Sequence, residues 1–294
     1  MGAMWREVAV VAIFSLVRHR ASAVLAARYL AKLVGWCFGV RRASAASLPA
    51  ADLAAARWGG ALDGSLGSMG DDDGGDVEPV SLDAQHRVLQ SLGAARVPHL
   101  AGASLLTHVA GCAQRVSELG LPLYAVSAAL HHSAYGSETF PPQLYKLTER
   151  EQVAARIGRR AEMLAFVFGT ASQLQLYKDA ITMRTLPENG LRVVNCYTGE
   201  SFVLARETAA LLLALHAADV ADAAGNFNEF SVHLLRLAAP ALGAPKPPPG
   251  VDGALSEHSD IAVEAALRTL RARQWCNPWL MMTACSPIIA DPRS

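Results

Sequence analysis

The sequence lacks an excess of charge of either sign. Its 26 basic and 26 acidic side chains cancel over 294 residues, so the formal net charge is zero at pH 7. Domains that bind nucleic acids usually carry a basic surface that meets the phosphates. The overall charge therefore gives no electrostatic case for nucleic acid, and we expect no such partner.

Paired cysteines, long apolar segments and common phosphate-binding motifs are also missing. The five cysteines are dispersed without a CxxC pair, which argues for a reducing compartment and against a disulfide framework or a zinc knuckle. The apolar run at residues 8–17 is too short to span a bilayer, since about 20 residues are needed. No GxGxxG, GxxxxGK[ST] or GxSxG sequence is present, so neither a nucleotide-binding loop nor a serine-hydrolase elbow is indicated.

What the chain does contain is enough apolar residues to fold. Hydrophobic residues make up 52% of the sequence and the mean hydropathy is +0.22, which excludes a disordered protein. A chain of this length builds an ordinary core easily. Alanine and leucine dominate the composition, and both favour helix.

Charge and composition divide the chain into five parts. Residues 1–58 begin with a basic, Ala- and Ser-rich stretch that contains a single acid, Glu7, which is typical of an organelle presequence and also fits a helix on a membrane surface. Residues 59–80 are Gly- and Asp-rich and predict a flexible linker. The other three parts are a helical domain at 81–240, a Pro-rich break at 241–255, and a C-terminal helix and tail at 256–294. We expect an intracellular protein, in a mitochondrion or chloroplast where the first segment acts as a presequence; this segment would contact import machinery or a membrane surface.

The domain at 81–240 has the patterns of an all-α fold with one small β-hairpin. Apolar residues recur every three to four positions in seven or eight segments, and Ser104 is a candidate N-cap for one of them. Gly158 interrupts or bends another helix. Two short strand-like segments flank Thr198-Gly199, which predicts the hairpin.

Histidines concentrate in one stretch of this domain. Residues 97–140 hold four of the nine in the chain, and they are His99, His108, His131 and His132. In a helical bundle, ligands from separate helices can converge in the core, and Asp219 occupies a position on a later helix where the pattern calls for an apolar residue. Imidazoles with one carboxylate suit Zn, Fe or Mn. The adjacent pair cannot both point inward, so we expect one of the two to face solvent.

Plain structural roles compete with the metal hypothesis. A single histidine on a partly apolar face, such as His108, is usually a hydrogen-bonded core residue. Asp219 needs a partner if it is buried, and a backbone N–H or an arginine would serve as well as a metal. Asp222 is a candidate for the same role as Asp219. Cys112 has the position of an inert core cysteine.

Five short segments of this domain resemble a known group of proteins. They are VPH ending at His99, SLLTHVAG around His108, ALHHSAYGSETF, IGRRAEML and the TGE of the hairpin. The order of His108, His132 and Asp219 resembles the HD superfamily of metal-dependent phosphohydrolases, and the segments are similar, more closely, to an uncharacterised domain family related to it. The resemblance covers Ser81 to Ala224.

The resemblance implies an HD-like helical bundle with one divalent metal ion, Zn, Fe or Mn. His108, His132 and Asp219 would hold the ion. Ser133 stands where the superfamily has an aspartate, and His99 would fill in for the lost ligand. Tyr135 and Glu138 would face a small-molecule substrate.

Two functions follow from these observations. The first is a divergent metal-dependent hydrolase of a small phosphorylated substrate. The second is a non-catalytic helical module that has lost the metal site and binds a ligand or a protein. Ser133 in place of aspartate favours the second, and the three histidines in series with Asp219 favour the first.

Overall fold

The structure is a computed structural model that describes residues 48–58, 80–99, 103–243, 263, 264 and 268. The predicted linker and most of the N-terminal, Pro-rich and C-terminal parts lie outside these ranges, and their roles stay predictions.

The described ranges contain nine α-helices and one two-stranded antiparallel sheet, joined by turns and short 3-10 helices. The helices are α1 (Ala50–Ala55), α2 (Leu82–Ser91), α3 (Leu105–Glu118), α4 (Leu123–His131), α5 (Arg150–Ile157), α6 (Arg159–Thr170), α7 (Gln173–Thr182), α8 (Arg206–Ala224) and α9 (Glu229–Ala238). The strands are β1 (Leu191–Val194) and β2 (Ser201–Leu204), paired from Leu191 opposite Leu204 to Val194 opposite Ser201. The expectation of an all-α fold with one small hairpin is confirmed.

Local signals explain where several of these elements begin and end. The Ser104 hydroxyl accepts a hydrogen bond from the Thr107 N–H at 3.2 Å and caps α3 as predicted. Pro122 precedes α4. Gly158 joins α5 to α6 with a φ of 88°, a left-handed conformation that glycine adopts without strain.

Helix α8 lies at the centre of the domain. It packs against α9 and α3, α3 packs against α4, and α4 packs against α6. Every residue of α8 from Thr208 to Ala218 is buried. Buried residues on all sides are characteristic of a central helix, and the many alanines of α8 let its neighbours approach closely.

Two features of the structure were not predicted. Helix α7 has no counterpart among the predicted helices, although Ser172 caps it by accepting from the Gln175 N–H at 3.3 Å. Residues 48–58, the end of the predicted N-terminal segment, also pack on the domain. The Trp58 indole donates to the Thr170 hydroxyl at 3.0 Å, and the Asn195 amide donates to the Ala56 carbonyl at 2.6 Å.

None of the helices within the described ranges is long and apolar enough to cross a membrane.

A buried ion pair holds α5 and α6 together near the turn that follows α4. The Arg150 guanidinium donates to both carboxylate oxygens of Glu162, at 2.7 and 2.8 Å, and lies 3.8 Å from the centre of the Phe166 ring. The Tyr135 hydroxyl donates to the same carboxylate at 2.9 Å. Glu162 is only 3% exposed, so its charge depends on these donors.

We expect Arg150→Ala to lower the free energy of unfolding by about 3–5 kcal/mol, because it leaves the buried Glu162 carboxylate without its cation. Urea unfolding followed by circular dichroism measures the change. Glu151→Ala is the matched control, since it breaks an ion pair with Arg159 whose side chains are 81% and 70% exposed, and it should unfold close to the wild type. Equal losses in the two variants would contradict this account.

Candidate metal centre

Four side chains from three helices converge between α3, α4 and α8. His108 and Cys112 lie one turn apart on α3, His132 caps the C-terminus of α4, and Asp219 is on α8. One potential ligand atom from each residue lies within 4.8 Å of all the others. We call these four residues the His108 cluster.

Three donor atoms of the cluster form a small triangle. His108 Nε2 is 3.3 Å from His132 Nε2 and 3.0 Å from Asp219 Oδ1, and the third side, from His132 Nε2 to Asp219 Oδ1, is 3.5 Å. Nitrogen and oxygen ligands about 2.0–2.1 Å from a tetrahedral ion lie about 3.3 Å from each other. The triangle therefore fits the separations that one ion requires.

The fourth member, Cys112, is near the same point. Its Sγ lies 3.6 Å from His108 Nε2, and sulfur and nitrogen ligands of a tetrahedral zinc ion would be about 3.5 Å apart. The thiol also donates weakly to the Ala218 carbonyl at 3.8 Å. Burial raises the pKa of Cys112 to about 11, so without a metal the sulfur carries its proton.

Backbone contacts set the orientation of His132. Its Nδ1–H donates to the carbonyl of Ala129 at 2.7 Å, in the last turn of α4, where carbonyls lack helical partners. That bond places the proton on Nδ1 and leaves the Nε2 lone pair directed at the cluster. A metal-binding histidine needs this tautomer.

His108 lies between two carboxylates of α8. Its Nδ1 is 2.8 Å from Asp222 Oδ2, and its Nε2 is 3.0 Å from Asp219 Oδ1. Burial alone would lower the pKa of His108, but the hydrogen bonds to the two aspartates outweigh it and hold the pKa well above its usual value. Asp219 has the opposite balance: burial raises its pKa, and the hydrogen bond from His108 brings it well below the usual value.

His99 adjoins the cluster without being a member of it. Its ring stacks on His108 with centroids 4.0 Å apart and an interplanar angle of 11°, and Phe140 packs against its edge at 4.8 Å. Burial, and then the proximity of His108, lower the pKa of His99 to about 3. The ring is therefore neutral and covers His108, and the expectation that it also ligates an ion stays a prediction.

The expectation that one of the adjacent histidines faces solvent is wrong. His131 and His132 are each only 1% exposed. They point in different directions, as the helix requires: His131 Nδ1–H donates to the Ser127 carbonyl at 3.0 Å, and its ring stacks on Tyr145. The carbonyl satisfies the imidazole, so burial costs little.

Tyr135 and Glu138, the predicted substrate-facing residues, have other partners in this structure. The buried Tyr135 hydroxyl donates to Glu162. The Glu138 carboxylate accepts from the Ser172 hydroxyl at 3.0 Å and the Leu174 N–H at 3.1 Å, at the start of α7. The structure does not bring either residue into the His108 cluster, and their contact with a substrate stays a prediction.

Access to the cluster lies on the α8 side. The side chains of His108 and His132 are 2% and 1% exposed, whereas those of Asp219 and Asp222 are 17% and 22% exposed. Solvent therefore reaches the cluster along the two carboxylates.

Sequence reasoning treated Cys112 as inert core and missed its place in the cluster. The signal was present, because Cys112 follows His108 by four residues and the i, i+4 spacing puts both side chains on one face of α3. Asp222 follows Asp219 by three residues on α8 and shares its face for the same reason. Asp222 was considered as a substitute for Asp219, whereas it binds the other side of the His108 ring.

Comparison with known proteins finds a family model that matches part of this site. Residues 88–173 match the model of a family described as a domain of unknown function (DUF6817). The match contains His99, His108, Cys112 and His132 and ends before Asp219. No curated protein and no solved structure shows a significant match to the chain, and a relationship to the HD superfamily is not shown.

We expect the stability that His108 supplies to the chelator-treated protein to depend on pH. Because its folded-state pKa lies above 6.5, its contribution is complete below pH 6.5 and declines as the pH rises through the folded value. The folded-state pKa of Asp219 lies below 3.8, so that contribution is complete above pH 3.8 and is lost as the pH falls through the folded value.

The loss of unfolding free energy in His108→Ala should therefore be larger at about pH 5.5 than at about pH 9, since the cavity that the mutation creates costs the same at both. Urea titrations at the two pH values measure the difference. His86→Ala, on α2, serves as the control histidine. A loss that is the same at both pH values would contradict the pairing of a protonated His108 with Asp219 and Asp222.

Proposed function

We propose that the domain binds one divalent metal ion at His108, His132 and Asp219 and hydrolyses a small phosphorylated substrate. The observation that carries the proposal is the donor triangle with sides of 3.0, 3.3 and 3.5 Å. Three donors from three separate helices at these separations match the ligand spacing that one ion requires. The sequence order of the three residues, which resembles the HD superfamily, supports the same assignment.

The chemistry of the donors favours Zn, Fe or Mn. Two imidazoles and one carboxylate form the set that non-haem iron sites use, and zinc and manganese accept the same donors. Mg²⁺ and Ca²⁺ prefer oxygen ligands, and His108 and His132 supply nitrogen.

Hydrolysis follows from a site with three protein ligands and an accessible side. A divalent ion in such a site polarises a phosphoryl oxygen and lowers the pKa of bound water. The partly exposed edge formed by Asp219 and Asp222 is the side from which a small substrate would enter. We infer that the substrate is phosphorylated from the resemblance to the HD superfamily.

A second candidate is a non-catalytic module with a closed metal site. Cys112 Sγ is near enough to act as a fourth ligand, and four protein ligands are typical of structural zinc. Ser133, where the HD resemblance calls for aspartate, is buried and supplies no charge for an ion. In this candidate the domain still binds the ion but does not hydrolyse a substrate.

We expect the purified chain to contain about one divalent ion per molecule, measured by elemental analysis, because the cluster offers one set of ligands. His108→Ala and Asp219→Ala should each remove most of the metal while keeping the helical circular dichroism spectrum. His86→Ala should keep the metal. A wild-type chain without stoichiometric metal, both as isolated and after incubation with Zn²⁺, Fe²⁺ and Mn²⁺, would disprove the proposal.

We expect the metal-loaded chain to release phosphate from some members of a panel of small phosphomonoesters and nucleotides, and Asp219→Ala to lose this activity, since the ion would no longer be held.

Cobalt substitution provides a second readout, which tests whether Cys112 is a ligand. A sulfur-to-cobalt charge-transfer band that disappears in Cys112→Ser but persists in Cys196→Ser identifies a thiolate ligand. That band together with no turnover on the panel would favour the closed site over the hydrolase.

A further inference from the structure

Asp222 contacts His108 on the side of the ring that faces away from the donor triangle. Its Oδ2 lies 2.8 Å from His108 Nδ1, while His108 Nε2 faces Asp219 and His132. The two nitrogens of an imidazole point in divergent directions, so a carboxylate at Nδ1 binds the ligand and not an ion at Nε2. Asp222 is accordingly absent from the group of mutually close donor atoms.

This contact selects the tautomer that a ligand needs. A carboxylate accepts and cannot donate, so Asp222 keeps one proton of His108 on Nδ1. An ion at Nε2 would then displace only the proton that Nε2 shares with Asp219. Partners of this kind orient metal-binding histidines and increase their basicity. His132 obtains the same tautomer from the Ala129 carbonyl, so both imidazoles would present Nε2.

Helix α3 provides a specific place for the Asp222 carboxylate. A Cβ built on Gly111 would lie 2.1 Å from Asp222 Oδ1 and 2.9 Å from its Cγ, so only glycine leaves room there. Glycine inside a helix is less stable than alanine, and the space that Asp222 needs explains its presence here.

Arg115, one turn further along α3, also contacts the Asp222 carboxylate. Its Nε lies 3.6 Å from Asp222 Oδ1, and a terminal nitrogen donates to the Gly225 carbonyl at 3.4 Å. His108, Gly111 and Arg115 thus follow one face of α3 at i, i+3 and i+7, and each contacts or makes room for the same carboxylate.

We propose that Asp222 is a positioning residue for the metal ligand His108, and that Gly111 is the position in α3 that admits it. The inference rests on the metal-binding proposal and adds two residues that do not touch the ion. It differs from a packing role for Asp222, because a packing role would change stability and leave the affinity for metal unchanged.

Zinc affinity, measured by competition with a chromophoric chelator at pH 7.5, tests the proposal. Replacing an outer carboxylate partner of a ligand typically weakens binding about 10- to 100-fold, and we expect a loss in this range for Asp222→Asn. Gly111→Ala should weaken binding in the same direction, because its methyl group displaces the carboxylate. The double variant should bind about as well as Gly111→Ala alone, since both changes break one interaction.

Asp179→Asn is the matched control. It also removes one carboxylate from a half-buried helical position, where Asp179 Oδ1 accepts from the Gln175 amide, and it should bind zinc like the wild type. The visible spectrum of the cobalt-loaded protein is the second readout and should change in Asp222→Asn and Gly111→Ala but not in Asp179→Asn. Urea unfolding of the chelator-treated variants confirms that each is folded.

The outcomes separate the two proposals. If the wild type binds zinc tightly and both Asp222→Asn and Gly111→Ala keep its affinity and its cobalt spectrum, the positioning role is wrong and metal binding stands. If the wild type binds neither zinc nor cobalt, both proposals are wrong.

Discussion

The site depends on one buried interaction, the His108 imidazole held between two aspartates of a neighbouring helix. A charged or polar group at 2% exposure is tolerable only if its hydrogen bonds are made. Asp219 and Asp222, three residues apart on α8, reach opposite nitrogens of one ring because the helical repeat puts them on one face. The contact therefore fixes the register of α3 against α8, and the remaining members of the cluster are placed relative to it.

The central helix makes this arrangement possible by changing character along its length. From Thr208 to Ala218 it is buried, and its alanines allow close packing. At Asp219 and Asp222 the same helix reaches partial exposure, 17% and 22%. A carboxylate at that boundary loses less hydration than one at the middle of the core, so it can face a buried histidine from a position that solvent still reaches.

The sequence reveals local features of the fold more readily than contacts between residues far apart in the chain. The helix cap at Ser104, the turn at Gly158 and the hairpin were predictable, because each depends on a few adjacent residues. The candidate ligands His108, His132 and Asp219 were predicted from their chain order, and the structure places them together. Cys112 was read as core because periodicity reports which face of a helix is buried and not what lies opposite. His108 and Asp219, for example, are 111 residues apart in the chain. Contacts of this kind depend on packing that no local pattern encodes.

Cys112 links the identity of the ion to what the site can do. Ionising a thiol with a pKa of about 11 at neutral pH costs about 5 kcal/mol, and the strong bond between zinc and a thiolate can offset that cost. Iron or manganese bound by nitrogen and oxygen donors gains less from sulfur. Cys112 would then keep its proton and its contact with the Ala218 carbonyl. A zinc ion therefore favours four protein ligands and a closed site, and the other ions favour three ligands and a position for water. Under the proposed function, the choice of metal would therefore decide whether the site can hydrolyse a substrate, through one thiol one helical turn from His108.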